Sequence, residues 1–173
     1  MAGGVPYVAG TAVGDAVRAV RELHAHGVAS SIDQFGELVD DPAEARRVAE
    51  DYRRVASELA DLPADAWLAI DLSHLGLDVD PRGCADRLAA IARALPDGRR
   101  IQVGAEDHAR AGAVLACVLD VAGRGLAGRL GATAQANVLA DLTARDVPVR
   151  VYVPFGHNWF RYWMRRVAES RGA

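Results

Sequence analysis

Apolar residues along this chain alternate between two spacings. Over residues 12–26 apolar side chains such as Val13, Val17 and Val20 recur at steps of three and four, which predicts a helix ending at Gly27. The pattern along the rest of the chain predicts further helices over 42–62, 81–95, 108–122, 138–145 and 159–171, and strands over 28–33, 67–72, 100–104, 130–135 and 149–153. Each strand is followed by a helix, so we expect a single domain over residues 1–173 with repeated βα units.

Strands that alternate with helices predict an α/β fold with a parallel sheet. The repeat suits either a β/α barrel or an open doubly wound sheet, and periodicity alone leaves both open. In both architectures functional side chains gather at the carboxyl ends of the strands. That rule selects residues 33–37, 71–75, 104–108, 135–137 and 154–158.

Composition and charge exclude several classes of function. The chain has 173 residues, a net charge of -3 and a pI near 5.9, which favour neither nucleic acid nor an anionic membrane surface as the partner. All 20 basic residues are Arg, and the lack of Lys excludes a Schiff-base mechanism and a P-loop. We expect a cytoplasmic protein without a membrane span, because we see neither a secretory leader nor an apolar run of about 18 residues.

Cysteine and histidine offer little chemistry by their spacing. Cys84 and Cys117 lie in separate helical patterns without CxxC spacing and are interpreted as reduced core thiols. The five histidines do not form a metal-ligand set, since His24 and His26 face different directions on one helix.

The most specific pattern lies in the predicted closing helix. Arg165 and Arg166 stand three or four residues from Tyr162 and Glu169, so these four residues share one flank of the helix. Two guanidinium groups form a fork that fits a carboxylate, a neighbouring Glu can hold their rotamers, and a Tyr can cover a small apolar ring. A solvated surface pair is the alternative interpretation.

Ordered motifs over the whole chain resemble the proline dehydrogenase family. Residues 150–156 (RVYVPFG) and 162–169 (YWMRRVAE) resemble the family's last strand and last helix. Residues 7–10 (YVAG), 31–37 (SIDQFGE), 72–76 (LSHLG), 106–107 (ED) and 135–137 (QAN) resemble earlier segments in the same order. The resemblance implies a TIM-barrel-like flavoprotein that binds FAD, oxidises proline or a related cyclic imino acid to pyrroline-5-carboxylate, and passes electrons to a quinone.

The resemblance also implies roles for individual residues. Arg165 and Arg166 would hold the substrate carboxylate with Glu169 behind them, and Tyr162 would pack on the substrate ring. Tyr152 would line the substrate pocket, with a place in the core as the alternative. Gln135 would contact the flavin, and Glu106 would also belong to the cofactor site.

Four departures from the family pattern weigh against full activity. Asp71 stands where the family has a Lys, and Gly104 stands where it has an Asp. Three βα units that normally follow Gln135 are missing, and the chain is little more than half of a usual catalytic domain. About five βα units would give a small or partly open barrel, with the last strand beside the fourth or a homodimer covering the edges. The alternative function is a catalytically degenerate binding or accessory protein without flavin.

Overall fold

Four parallel strands form the sheet in the computed structural model, which describes residues 9–36 and 38–133. The strands are β1 (Ser31–Asp33), β2 (Trp67–Ile70), β3 (Ile101–Val103) and β4 (Leu130–Ala132). They pair in the order β1-β2-β3-β4, with Asp33, Ala69, Gln102 and Gly131 forming one row across the sheet. The predicted α/β fold with a parallel sheet is therefore confirmed.

Four α-helices connect or precede these strands: α1 (Val13–Ala25), α2 (Pro42–Glu58), α3 (Pro81–Ala94) and α4 (Ala111–Val121). The order β1-β2-β3-β4 never reverses direction, and right-handed crossovers then place α2, α3 and α4 on the same face of the sheet. An open doubly wound sheet needs such a reversal to put helices on both faces. The described sheet is thus built like an arc of a β/α barrel that has not closed.

Local sequence explains where two of the helices begin. Asp41 precedes Pro42 and accepts a hydrogen bond from the Ala43 N–H at 2.8 Å, which caps α2. Asp80 precedes Pro81 and accepts from the Gly83 N–H at 3.0 Å, which caps α3 in the same way. Proline suits the first helical turn because its fixed φ is helical and its missing N–H is not needed there.

The core lies between the sheet and its helices. Ile32, Leu68, Ile70, Ile101 and Val103 alternate along the strands and are buried on the helix side. They pack with buried side chains of α2, α3 and α4 in one apolar cluster. On the other face of the sheet Asp33 is exposed, while Ala69, Gln102 and Gly131 are partly exposed among the described residues.

The last helical stretch of the described residues is strongly apolar. Residues Ala111–Arg129 are long and apolar enough to cross a membrane by length and composition alone. Arg124 and Gly125 interrupt the helix with non-helical backbone angles, and Cys117, Val118 and Val121 are buried in the core. A core helix of a soluble protein passes the same test of length and composition, so this one stretch is weak evidence for a membrane span.

One strand and one helix end earlier than predicted, because local hydrogen bonds replace those of the regular element. The predicted strand 67–72 ends at Ile70, because the Leu72 carbonyl accepts from the N–H groups of Leu75 and Leu77 instead of joining the ladder. The predicted helix 42–62 ends at Glu58 and tightens into a 3-10 turn over Leu59–Asp61. Pro63 disfavours helical backbone at the residue before it. The predicted elements at 138–145, 149–153 and 159–171 lie outside the described residues, so barrel closure stays a prediction.

Candidate functional site

The carboxyl ends of β1, β2 and β3 meet at one edge of the sheet and carry Asp33, Asp71, Gly104 and Glu106. We call these residues the polar rim. Position in a parallel sheet alone brings them together, as the sequence predicted. Among the described residues, the polar side chains at strand ends are therefore gathered at this rim.

A tight turn after β2 supports the rim. The N–H groups of His74, Leu75 and Gly76 donate to the carbonyls three residues earlier, at 3.2, 3.0 and 3.1 Å. Gly76 is buried with φ +76°, and a Cβ added there would lie 2.9 Å from the Ala45 Cβ on α2. Only glycine adopts that backbone and tolerates that approach at low cost, so the turn can press directly against α2.

Ser73 joins the ends of all three strands. Its backbone N–H donates to Glu106 Oε1 at 2.8 Å, which links the turn after β2 to the end of β3. Its hydroxyl accepts from the Leu38 N–H at 3.3 Å and its carbonyl from the Val39 N–H at 3.1 Å, which links the turn to the loop after β1. The Glu106 side chain is only 9% exposed, so this bond is shielded from water.

His74 and Tyr52 form a buried polar contact behind the rim. The two rings meet edge to face with centroids 5.6 Å apart, and Tyr52 Oη lies 3.3 Å from His74 Nδ1. The Tyr52 hydroxyl also lies 3.2 Å from the Gln34 carbonyl and 3.4 Å from Asp33 Oδ1, and it has one proton to donate between them. A Cβ at Gly36 would lie 2.3 Å from His74 Nε2, so the loop after β1 closes directly over the imidazole.

Burial sets the protonation of this cluster. It lowers the pKa of His74, although the nearby Asp33 and Glu44 carboxylates act in the opposite direction. Burial also raises the pKa of Asp33, partly offset by the Tyr52 hydrogen bond, and burial raises the pKa of Tyr52 further above its usual range. Near neutral pH the cluster therefore holds a neutral imidazole and a protonated phenol.

Comparison with known proteins finds sequence similarity to proline dehydrogenases. The chain is 28% identical over 145 residues to the proline dehydrogenase of Deinococcus radiodurans, a match that covers 82% of this chain and 45% of that one. It is 32% identical over 85 residues to proline dehydrogenase 1 of Bacillus subtilis subsp. natto, covering 49% of this chain and 28% of that one. The chain is a divergent relative of the proline dehydrogenases. It spans less than half the length of these curated relatives, and no family profile matches it.

A solved structure agrees on the fold. The crystal structure of proline utilization A (PutA) from Bdellovibrio bacteriovorus, inactivated by N-propargylglycine, superposes with a TM-score of 0.65 over 80% of this chain and 18% of that one. Sequence identity in the superposition is 13%, so the likeness shows the shared β/α architecture alone.

Two of the departures from the proline dehydrogenase pattern are neighbours in space. Gly104 donates its N–H to the Ile70 carbonyl at 2.9 Å, which sets it beside the end of β2. A Cβ at Gly104 would lie 1.9 Å from Asp71 Oδ1, so the Asp71 carboxylate stands where a side chain at 104 would begin. In the family pattern that the chain resembles, a Lys stands at the position of Asp71 and an Asp at the position of Gly104. In this chain the spot therefore holds one carboxylate, that of Asp71, which directly follows β2.

The charges at the rim determine which groups of a flavin or a substrate could bind there. Arg110 is the guanidinium bound beside Glu106. It donates to Asp78 at 2.8 Å and to Asp107, and lies 3.9 Å from Glu106 Oε2. The hydrogen bond to Asp78 raises the pKa of Arg110, which stays charged and committed to these carboxylates. Within the described residues the rim therefore suits a neutral ring or an ammonium group and offers no cradle for a pyrophosphate.

The residues predicted to bind substrate lie outside the described part of the chain. These are Arg165, Arg166, Tyr162, Glu169 and Tyr152, and Gln135, predicted to contact the flavin, lies there too. Glu106, the other predicted cofactor residue, lies on the rim, where one carboxylate oxygen accepts from the Ser73 N–H.

Sequence reasoning missed the pair of Tyr52 and His74. Tyr52 lies on the apolar stripe of α2. A buried Tyr hydroxyl usually has a hydrogen-bond partner, so this position could have predicted a polar partner in the core. Over residues 9–36 and 38–133 no three His, Cys, Asp or Glu side chains come together as metal ligands.

Proposed function

We propose that this chain acts in the oxidation of proline or a related cyclic imino acid to pyrroline-5-carboxylate, with FAD as the electron acceptor and a quinone as the final oxidant. The similarity over 145 residues to a proline dehydrogenase is the observation that carries this proposal. The polar rim, at the carboxyl ends of strands in a matching fold, supports it by putting polar groups where β/α barrels bind substrates.

In this proposal Arg165 and Arg166 clasp the substrate carboxylate, with Glu169 holding their side chains. Tyr162 and Tyr152 pack against the substrate ring, and Gln135 contacts the flavin edge. Glu106, held by the Ser73 N–H, keeps the ends of β2 and β3 together beneath the site. FAD would supply the hydride acceptor, and its phosphates would need residues beyond the described part of the chain, or a second copy of it.

A second function is favoured by the charge of the rim. Asp71 puts a carboxylate where the family resemblance gave a Lys, and Arg110 is already bound by Asp78 and Asp107. A rim that offers no phosphate cradle within residues 9–36 and 38–133 fits a degenerate protein that binds an imino acid and does not retain flavin. In that case the chain serves as a binding or accessory protein.

Flavin retention and proline oxidation separate the two functions. The full chain, incubated with FAD and freed of unbound cofactor, is expected to keep the flavin absorption bands. Addition of proline should bleach them, and an artificial quinone should restore them. A colourless protein that cannot be reconstituted rejects the flavin-dependent function, and stabilisation of that protein by proline then supports the binding function.

The arginine fork has a matched control elsewhere in the chain. Replacing Arg165 and Arg166 with Ala should weaken the proline effect about a hundredfold or more, because two charge-assisted hydrogen bonds to a carboxylate are lost. Arg53 and Arg54 are also adjacent on a helix, but they are exposed and pair with the neighbouring Glu50 and Asp51 of the same helix. The R53A/R54A variant should respond to proline like the wild type, and an R165A/R166A variant that does so as well shows that the fork is misassigned.

A further inference from the structure

The Tyr52 hydroxyl lies between a carboxylate that water reaches and an imidazole that is almost fully buried. Asp33 is exposed at the end of β1, whereas Tyr52 and His74 are 0% and 6% exposed. Tyr52 Oη lies 3.4 Å from Asp33 Oδ1, 3.3 Å from His74 Nδ1 and 3.2 Å from the Gln34 carbonyl. One O–H thus has three acceptors within reach. Two of these acceptors bind protons, so the direction of the O–H depends on which of them is protonated.

The charged groups around His74 come from three elements. Asp33 ends β1, Glu44 lies on α2 and Asp71 directly follows β2. Burial lowers the pKa of His74, against the effect of the Asp33 and Glu44 carboxylates. Burial also raises the pKa of Asp33. The two groups therefore hold a proton with more similar strength than they would in water, which eases its transfer from one to the other.

Tyr52 is suited to pass a proton on without keeping or losing one. Burial raises the pKa of its phenol, and the Asp33 and Asp71 charges act in the same direction. A phenolate is therefore disfavoured here, and the hydroxyl can release its proton on one side only as it accepts another on the other side.

We propose that Asp33, Tyr52 and His74 form a proton relay, in which a proton that arrives at the Asp33 carboxylate moves through the Tyr52 hydroxyl to His74 Nδ1. The O–H bond of the Asp33 carboxyl breaks as a new O–H bond forms at Tyr52 Oη. The original Tyr52 O–H bond breaks as an N–H bond forms at Nδ1. A carboxylic acid and a neutral imidazole become a carboxylate and an imidazolium, so atoms and charge balance.

The relay gives the rim a place to put a proton away from a bound ligand. A protonated amine must lose a proton before hydride can leave its carbon, because the free nitrogen lone pair stabilises that carbon. Asp33 would take this proton, and transfer to His74 would restore the carboxylate that attracts an ammonium group. This use of the relay rests on the proposed function, whereas the relay itself does not.

The pKa of His74 in four proteins tests the connection through the hydroxyl. The full chain with 15N-labelled histidine is titrated by NMR as the wild type, Asp33→Asn, Tyr52→Phe and the double variant, and His74→Asn identifies the His74 signals. Asp33→Asn should lower the pKa of His74 by at least about half a unit more when the Tyr52 hydroxyl is present, which is about a threefold difference in proton affinity. The hydroxyl transmits the effect because a Tyr52 O–H that donates to a carboxylate is a better acceptor for the imidazolium.

Two results would overturn the relay. Equal shifts with and without the hydroxyl show that the Asp33 charge acts through space alone. A neutral wild-type His74 with its proton on Nδ1 leaves no lone pair there for Tyr52 to donate to. The 15N shifts of the wild type report this tautomer, so they decide even if a variant does not fold. The exposed His26 should titrate alike in all the proteins, which controls for a general change of the fold.

Flavin reduction by proline tests the use of the relay. Tyr52→Phe should slow this step about tenfold or more and change its pH profile, while the proline concentration for half-saturation stays the same. A Tyr52→Phe protein with the wild-type rate and pH profile removes the relay from the reaction. A chain that neither keeps flavin nor oxidises proline counts against the proposed function alone, because the NMR titration needs neither compound.

Discussion

Single residues with unusual backbone or burial hold the polar rim in place. Gly76 combines a left-handed backbone with close contact to α2, and His74 is 6% exposed against the ring of Tyr52. Neither residue faces a substrate in the proposed function. Both fix the turn that places Asp71 and Ser73, so changes there should first alter stability.

A pair of glycine substitutions separates backbone strain from crowding. Gly76→Ala should lower the free energy of unfolding by about 2–3 kcal/mol, because a Cβ both strains the left-handed backbone and meets Ala45. Gly27→Ala has a similar φ of +74° with nothing within 4 Å, so it should cost only about 1 kcal/mol. Urea unfolding of both variants measures the difference. Equal losses would show that the contact between the turn and α2 does not constrain residue 76.

At the scale of elements, one buried cluster joins three segments. His74 belongs to the turn after β2, Tyr52 to α2, and Gln34 to the loop after β1. The Tyr52 hydroxyl contacts the Gln34 backbone carbonyl and the His74 ring, and the loop at Gly36 lies against the same imidazole, so the loop and the turn both depend on His74. Protonation of His74 should therefore loosen the contact between these elements.

The pH dependence of stability tests this link. Since the folded pKa of His74 is lowered, the unfolded chain takes up the proton first, and stability should fall as the pH drops below about 6.5. The pKa of Asp33 is raised in the folded chain, so the folded state takes up this proton first. Its effect is to increase stability as the pH falls, and it appears only in more acidic solution. Melting temperatures between about pH 7 and pH 5 should fall in the wild type and fall less in His74→Asn.

The exposed His26 on the same chain supplies the control for that series. His26→Asn should keep the wild-type slope. A His74→Asn protein with an unchanged slope would assign the pH dependence to other groups.

Local features of the sequence predicted much of the architecture and little of the site. The starts of α2 and α3 could be predicted because Asp-Pro pairs act on their own immediate neighbours. The rim could be located because strand ends follow from alternation. The contacts of Tyr52 with His74 and of Asp71 with Gly104 depend on how separate elements pack, which the spacing of residues along one chain does not encode.

At the scale of the whole molecule, the described sheet has two edges, β1 and β4, and one face that α2, α3 and α4 do not cover. An unpaired edge exposes N–H and C=O groups and tends to acquire a partner. The predicted strand at 149–153 is the segment we expect beside β4. A homodimer that covers the edges is the rival arrangement.

Amide hydrogen exchange distinguishes these arrangements. If 149–153 pairs with β4 in the same chain, peptides covering 130–132 and 149–153 should exchange slowly and equally at all protein concentrations. A homodimer makes that protection fall on dilution, in step with the apparent mass in solution. Fast exchange of both peptides at every concentration would leave the barrel open at β4.

The position of Asp71 has a consequence for how divergent relatives are compared. Read one position at a time, residues 71 and 104 count as two separate differences from the family pattern that the chain resembles. In three dimensions they are one place, because a Cβ at residue 104 would lie 1.9 Å from Asp71 Oδ1. Searches for remote relatives that score spatial positions across adjacent strands should therefore recover proteins that column-by-column scoring rejects.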